Sequence, residues 1–96
     1  MNRIKNKDIE YYTKGLNILT KSPLEEWDRI EGKLVSNIGY FYYQEGSKIN
    51  GQMHKIERIA TEGGGCSIIL SAWTKRELYD QVKAYYQGLN QGLLLK

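Results

Sequence analysis

The sequence predicts a small α+β domain, in which an N-terminal helical segment and a C-terminal amphipathic helix cover a small three-stranded antiparallel sheet. Three observations favour this fold. Cys66–Trp73 is an apolar run of strand length that follows three glycines. Apolar residues recur at helical spacing near the N terminus, and a second helical pattern opens after Thr74. One strand needs partner strands for its backbone and a helix over its face, so the rest of the chain must supply both. An all-α fold is the alternative.

Composition restricts the class of protein. A chain of 96 residues has the length of one domain, and 41% hydrophobic with 26% charged residues is typical of a globular protein rather than a disordered one. The single cysteine excludes an internal disulfide and a multi-cysteine metal site. No apolar stretch approaches the length of a membrane span, so we expect a cytoplasmic protein without membrane contact, cofactor or metal.

The first helix is predicted from about Lys7 to Thr20. Asp8 lies in its first turn, where the helix dipole favours negative charge. Its apolar residues share one helical face: Ile9, Tyr12, Leu16 and Leu19.

Ser22-Pro23-Leu24-Glu25 predicts the start of a second helix, since a serine cap, a proline and a glutamate three residues after the cap agree. We expect this helix to end near Glu31 and a strand to follow from about Leu34 to Tyr43. The alternative is one helix that continues to Tyr42, because the apolar residues from Leu24 to Phe41 keep a helical step.

The second and third strands are predicted as a hairpin. Glu45–Gly51 has the composition of a turn. Met53–Thr61 is predicted to be the strand that pairs with Cys66–Trp73, with the chain reversing at Gly63–Gly65, although the apolar residues of Met53–Thr61 also fit a helix.

The last helix begins at the capping box Thr74–Glu77. Tyr79 and Tyr86 are expected on its shoulder. The apolar tail Leu93–Leu95 should pack on the core or on another copy of the chain, which predicts a homo-oligomer. The expected buried stripe contains Leu78, Val82, Tyr85, Leu89 and Leu93.

Eight tyrosines indicate a binding surface, because the ring is apolar and the hydroxyl seeks a partner. In a strand, either Phe41 and Tyr43 or Tyr40 and Tyr42 face outward. We therefore predict a non-catalytic module that binds a protein partner and self-associates. Its size and its use of Lys, Asn and Tyr are typical of an accessory protein of a bacterium, plasmid or phage. The predicted contact residues are Tyr40, Tyr42, Tyr79, Tyr86, Leu93 and Leu94.

The triple glycine allows a second kind of site. Backbone N–H groups of glycines can form an anion-binding nest, although the remainder of a phosphate-loop pattern is missing and a flexible hairpin turn is the simpler interpretation. A small anionic ligand such as a nucleotide would then contact Lys55, Arg58, Gly63, Gly64, Gly65 and Ser67.

Nucleic-acid binding is the other alternative. Arg3 and the lysines at positions 5, 7, 14 and 21 give the first helix a positive bias, and outward sheet tyrosines can stack bases. Cys66 and His54 lack a third orienting group, so we predict no catalysis by this pair. Four carboxylates between Glu25 and Glu31 are interpreted as solvated surface.

Overall fold

The computed structural model describes residues 3–94, and side chains over residues 3–92. Three strands form an antiparallel sheet in the order β3-β4-β5, and α1 lies on β3 while α2 lies on β5 and β4. β1 and β2 form a separate antiparallel hairpin. The predicted α+β class is confirmed. In chain order the elements are α1 (Asn6–Leu19), β1 (Trp27–Ile30), β2 (Lys33–Ser36), β3 (Phe41–Gln44), β4 (His54–Ile59), β5 (Cys66–Ala72) and α2 (Lys75–Leu94).

The core lies between the three-stranded sheet and the two helices. Both helices cover the same face of the sheet, so the other face is left open. Burial of large aliphatic and aromatic side chains here is the main stabilising contribution to the fold. The buried cluster consists of Ile9, Leu16, Phe41, Ile56, Ala72, Leu78 and Val82.

The first helix forms as predicted. Its first turn is closed by Asp8, whose carboxylate accepts a hydrogen bond from the backbone N–H of Lys5 at 2.8 Å. Asn17 on the same helix is buried, and its side-chain amide bonds both backbone groups of Phe41: it donates to the carbonyl at 3.0 Å and accepts from the N–H at 2.7 Å. One side chain of α1 therefore takes the place of a further strand at this point of β3.

The prediction of a second helix after Ser22 is wrong. Lys21 adopts a left-handed φ of 56°, and the N–H of Ser22 donates to the carbonyl of Asn17 at 2.8 Å, as at a helix C terminus. The hydroxyl of Ser22 lies 2.6 Å from Thr20 Oγ1 and accepts a hydrogen bond from Arg58 Nη2 at 3.2 Å. Ser22 thus ends α1 instead of capping a new helix, and the chain continues into β1.

The single strand predicted from Leu34 to Tyr43 is also wrong, because a turn at Gly39 divides it and another turn comes just before it. Glu31 and Gly32 both have positive φ, 52° and 79°, as in the type I′ turn that joins two strands tightly. After β2 the N–H of Tyr40 donates to the carbonyl of Asn37 at 3.2 Å, and Gly39 has a φ of 98°. Glycine is needed there because side chains disfavour this backbone conformation.

The C-terminal half agrees with prediction apart from one residue. β4 and β5 pair as a hairpin that reverses through the glycine loop, and the hydroxyl of Thr74 accepts a hydrogen bond from the N–H of Glu77 at 3.1 Å at the start of α2. Tyr85 was expected to be buried but is exposed, and Tyr86 packs against the core instead. The reason is the helical angle: Tyr86 faces α1, whereas Tyr85 lies on the opposite flank.

Candidate binding surfaces

Tyr40 and Tyr42 lie on the open face of the sheet, since Phe41 between them points into the core. Their rings stack with centroids 6.2 Å apart and planes 13° apart. Tyr42 Oη lies 2.9 Å from the sulfur of Cys66, and the Cys66 thiol donates to the carbonyl of Gly64 at 3.1 Å. The tyrosine hydroxyl is therefore the donor toward the sulfur, and the pair is held in place by side-chain bonding across the sheet.

The surroundings of this tyrosine pair are acidic. Burial raises the pKa of Tyr40, and the nearby carboxylates of Glu26, Glu25 and Glu10 raise it further. Burial and the hydrogen bond with Cys66 raise the pKa of Tyr42, so both phenols stay neutral. Carboxylates beside the rings repel phosphate, which disfavours the nucleic-acid surface predicted for these two tyrosines.

A shallow groove of about 320 Å³ separates α1 from the outer edge of β3. Tyr40 and Tyr42 line it together with Leu24 and Ile18, which are both largely exposed. The groove thus has an apolar part that continues from the sheet edge onto the segment that follows α1, while polar residues of α1, including Glu10 and Lys14, line its other side.

Tyr79 and Tyr86 do not form a free contact surface. Their rings lie 5.7 Å and 5.6 Å from the ring of Tyr12, so the three tyrosines pack between α1 and α2. Aromatic packing of this kind, edge-to-face for Tyr79 and tilted for Tyr86, stabilises the contact between the helices. The other two predicted contact residues, Leu93 and Leu94, have side chains outside the described residues.

In the glycine loop, Gly63–Gly65, two backbone N–H groups donate hydrogen bonds to nearby Thr61. The N–H of Gly64 donates to the carbonyl of Thr61 at 3.1 Å, and the N–H of Gly65 donates to Thr61 Oγ1 at 2.9 Å. Of the three glycines, Gly63 alone has no described hydrogen bond from its N–H, which is too little to cradle an anion. The loop is built as a turn between β4 and β5.

The side chains predicted to join that loop are not gathered around it. Lys55 pairs with Ser71 at the opposite end of the hairpin. Arg58 donates to the carbonyl of Gly39 at 2.9 Å and lies 4.5 Å from the ring centre of Phe41, while Ser67 is the cross-strand neighbour of Arg58. Arg58 thus joins the turn before β3 to the sheet.

His54 is far from Cys66, because His54 pairs with Ala72 at one end of the hairpin and Cys66 pairs with Ile59 at the other. The N–H of Gly46 donates to Nδ1 of His54 at 3.0 Å. Burial and the nearby charge of Lys75 lower the pKa of this imidazole, so it is neutral at pH 7. Its geometry is structural, and no cluster of metal-ligating side chains is found among the described residues.

The segment that we call the arm, residues 24–38, projects from the rest of the fold. β1 and β2 pair with each other, and neither packs extensively on another helix or strand of the described chain. At the base of the arm, the side chain and the N–H of Asn37 donate to the carbonyls of Glu25 and Glu26. The large apolar side chains that the arm leaves more than half exposed are Leu24, Trp27, Ile30, Leu34 and Ile38.

The sequence predicted a short helix as far as Glu31 and one strand from Leu34 to Tyr43, with a continuous helix as the alternative, so sequence reasoning missed the arm. Trp27 and Leu34 lie diagonally on one face of the hairpin, and Ile30 lies on the other. The signal that could have revealed it is the pair Glu31-Gly32 between two short β-favouring runs.

A second surface, the basic cleft, lies where the N-terminal segment meets the start of α2. Its volume is about 760 Å³ and it opens to solvent around the half-exposed ring of Trp73. One of its cations is paired, because Lys75 Nζ lies 2.9 Å from the carboxylate of Glu45 and so lowers the pKa of that carboxyl group. The positively charged residues that line the cleft are Arg3, Lys5, Lys7, Lys48 and Lys75.

Comparison with known proteins adds no assignment: no family model, curated protein or solved structure matches the chain. Residues 3–94 contain no helix with both the length and the apolar character needed to cross a bilayer. The function proposed below is based on two surfaces, the arm and the basic cleft.

Proposed function

We propose that this chain is a non-catalytic protein-binding module that holds its partner on the arm. The observation that carries the proposal is the exposure of five large apolar side chains on one protruding element. Several large apolar side chains exposed on one element are uncommon on proteins that act alone and are frequent where proteins meet. An isolated two-stranded hairpin is marginally stable in water, so a partner that covers it also stabilises it.

The contact extends beyond the arm. Leu24 belongs both to the arm and to the groove between α1 and β3, which Ile18 and Tyr40 also line. A partner that covers the hairpin and enters this groove buries an aromatic and aliphatic centre with a polar margin, which is the usual anatomy of an interface. Tryptophan is enriched among the residues that dominate binding energy, so Trp27 is the expected anchor.

Charge indicates the chemistry of the partner. Four carboxylates and two cations lie between Glu25 and Lys33, so this part of the arm is acidic. A complementary partner surface carries apolar residues framed by lysines or arginines. The same acidity disfavours nucleic acid as the ligand of the arm.

Nucleic-acid binding is the second candidate function, and the basic cleft is the observation that favours it. Cations around an exposed aromatic ring are the elements by which single strands are neutralised and stacked. In this proposal Trp73 replaces the sheet tyrosines as the stacking residue, and Arg3, Lys5 and Lys7 are shared with the predicted basic set.

The two tryptophans separate the two functions in one experiment, since Trp27 is 52% and Trp73 50% exposed. Tagged wild type, Trp27→Ala and Trp73→Ala are compared by quantitative affinity capture from the source cells, and captured proteins are then purified and titrated by calorimetry. We expect a purified partner whose affinity falls at least about tenfold with Trp27→Ala and is unchanged with Trp73→Ala, because a buried aromatic anchor contributes 2 kcal/mol or more, roughly.

The same three proteins are titrated against fluorescent mixed-sequence single and double strands at low salt. Salt-sensitive binding that is lost with Trp73→Ala and kept with Trp27→Ala would move the assignment to the second candidate. A purified partner that binds all three proteins equally would contradict the arm as the contact surface.

A further inference from the structure

The outer edge of β5 is an unpaired sheet edge. β5 bonds β4 on one side, and no strand of the described chain pairs with its other side. Seven residues, Cys66–Ala72, thus present every second N–H and C=O group to a neighbour. The opposite edge of the sheet differs, because Asn17 bonds the outward backbone groups of Phe41.

β5 also lacks the features that prevent sheet edges from associating. Natural edge strands are protected by lysine, proline or other charges, and Cys66–Ala72 contains none of these. Ile68 on this strand is 57% exposed. The edge is therefore suited to accept another strand.

The middle of the α2 flank above this edge is uncharged as well, whereas Glu77 lies on the same flank at the start of the helix. Tyr79 and Tyr86 face α1, and the opposite flank carries Gln81, Tyr85, Gly88 and Gly92 at helical spacing. A side chain added at Gly88 or Gly92 would meet nothing within 4 Å, so packing within the chain does not require these helix-weakening glycines. Glycine on an exposed helix flank permits close approach of a second backbone.

We propose that two copies of this chain associate through β5, edge to edge and antiparallel, to form one six-stranded sheet. A two-fold axis brings each surface against itself, so a charge near the axis would face its own copy and repel it. Both the strand and the middle of the α2 flank are free of charge, as such a contact requires, and Glu77 lies beyond the end of β5, away from the axis. The arm carries acidic side chains that would repel one another across a two-fold axis, so β5 is a better contact for a second copy than the arm.

The spacing of the layers agrees with this arrangement. Neighbouring strands are about 4.8 Å apart, and α2 lies over β5 and β4, so its axis stands roughly 5 Å from the two-fold axis. The two α2 helices would then lie about 10 Å apart, which is a normal distance for packed helices. The glycine flanks meet at that contact.

This association is independent of the proposed partner on the arm, and it gives the predicted self-association a location other than the tail Leu93–Leu95. Sedimentation equilibrium of wild type, Ile68→Lys and Ile49→Lys tests it, because Ile49 is 97% exposed in a loop and receives the same change. We expect a reversible dimer whose dissociation constant rises at least tenfold with Ile68→Lys and less than twofold with Ile49→Lys.

A second pair of variants keeps the test valid if Ile68→Lys disturbs folding. Gly88→Glu places a charge on the flank near the axis, whereas Gln87→Glu places it on the solvent side of the same helix turn. We expect Gly88→Glu alone to weaken the dimer, while circular dichroism shows both variants folded. A wild type that is monomeric at several hundred micromolar, or a dimer that resists both Ile68→Lys and Gly88→Glu, would overturn the proposal.

Discussion

The arm and the body of this protein, which consists of α1, β3, β4, β5 and α2, are made of similar residues and held by different forces. In β4, Ile56 and Ile59 are buried. In β1 all four residues are exposed, including Ile30. The body is stabilised by apolar burial between layers, whereas the arm is held by its own backbone pairing and a type I′ turn. The difference teaches that the exposed apolar residues of the arm are not needed to stabilise the core, which leaves them accessible for the partner proposed above.

Hydrogen exchange should show the largest difference between the two regions. Backbone amides in β4 exchange only when the whole domain unfolds, which for a domain stable by 5 kcal/mol or more corresponds to protection of roughly 10³-fold or greater. Amides in β1 and β2 open locally, so we expect at least about a hundredfold less protection there. Exchange followed by NMR at low protein concentration measures both. Equal protection of the amides of Asp28, which pairs with Val35, and Ile56 would show that the arm is docked on the body.

The same substitution in each region gives the next largest effect. Ile56→Ala removes a fully buried side chain and leaves a cavity, so we expect the free energy of unfolding to fall by about 3 kcal/mol. Ile30→Ala changes a side chain that is 56% exposed and should cost under about 0.5 kcal/mol. Urea denaturation of both variants measures the two values. A loss of similar size at Ile30 would mean that the arm contributes to the core.

The body could be predicted from the sequence because its signals are local and agree with one another. The first helix, the strand Cys66–Trp73 and the capping box at Thr74 each combine periodicity with an end signal, and each formed as expected. The packing of Tyr12 between Tyr79 and Tyr86 depends on how two helices meet, which spacing along one helix does not reveal.

The arm could not be predicted because its signals conflict. Its apolar residues fit a helical step by coincidence, and Ser22-Pro23 resembles a helix start. What decides the outcome is largely tertiary: Arg58 bonds Ser22, and Gly39 turns the chain toward Ile59, to whose carbonyl its N–H donates at 2.8 Å. The basic cleft was missed for a similar reason. Trp73 and Lys48 are distant in sequence from the N-terminal lysines, and only the fold brings them to the same cleft.

The dependence of stability on pH gives the smallest effect and belongs to the body. His54 is the single histidine, and burial followed by the charge of Lys75 lowers its pKa below the ordinary value of 6.5. The unfolded chain then binds the proton more readily than the folded one, so stability is retained above pH 6.5 and falls as pH decreases below it. Glu45 also faces this imidazole, but its lowered carboxyl pKa affects stability only below its ordinary value of 4.5.

Thermal unfolding between pH 7.5 and 5.5 measures this contribution, with His54→Gln as the matched variant. The melting temperature of wild type should fall slightly on acidification. The melting temperature of His54→Gln should be lower at pH 7.5, because the variant loses packing, but should fall less between pH 7.5 and 5.5. The arm holds no histidine, so its exchange rates, corrected for the intrinsic effect of pH, should stay constant while the body weakens. If the melting temperatures of the two proteins changed identically with pH, protonation of His54 would not destabilise the folded body.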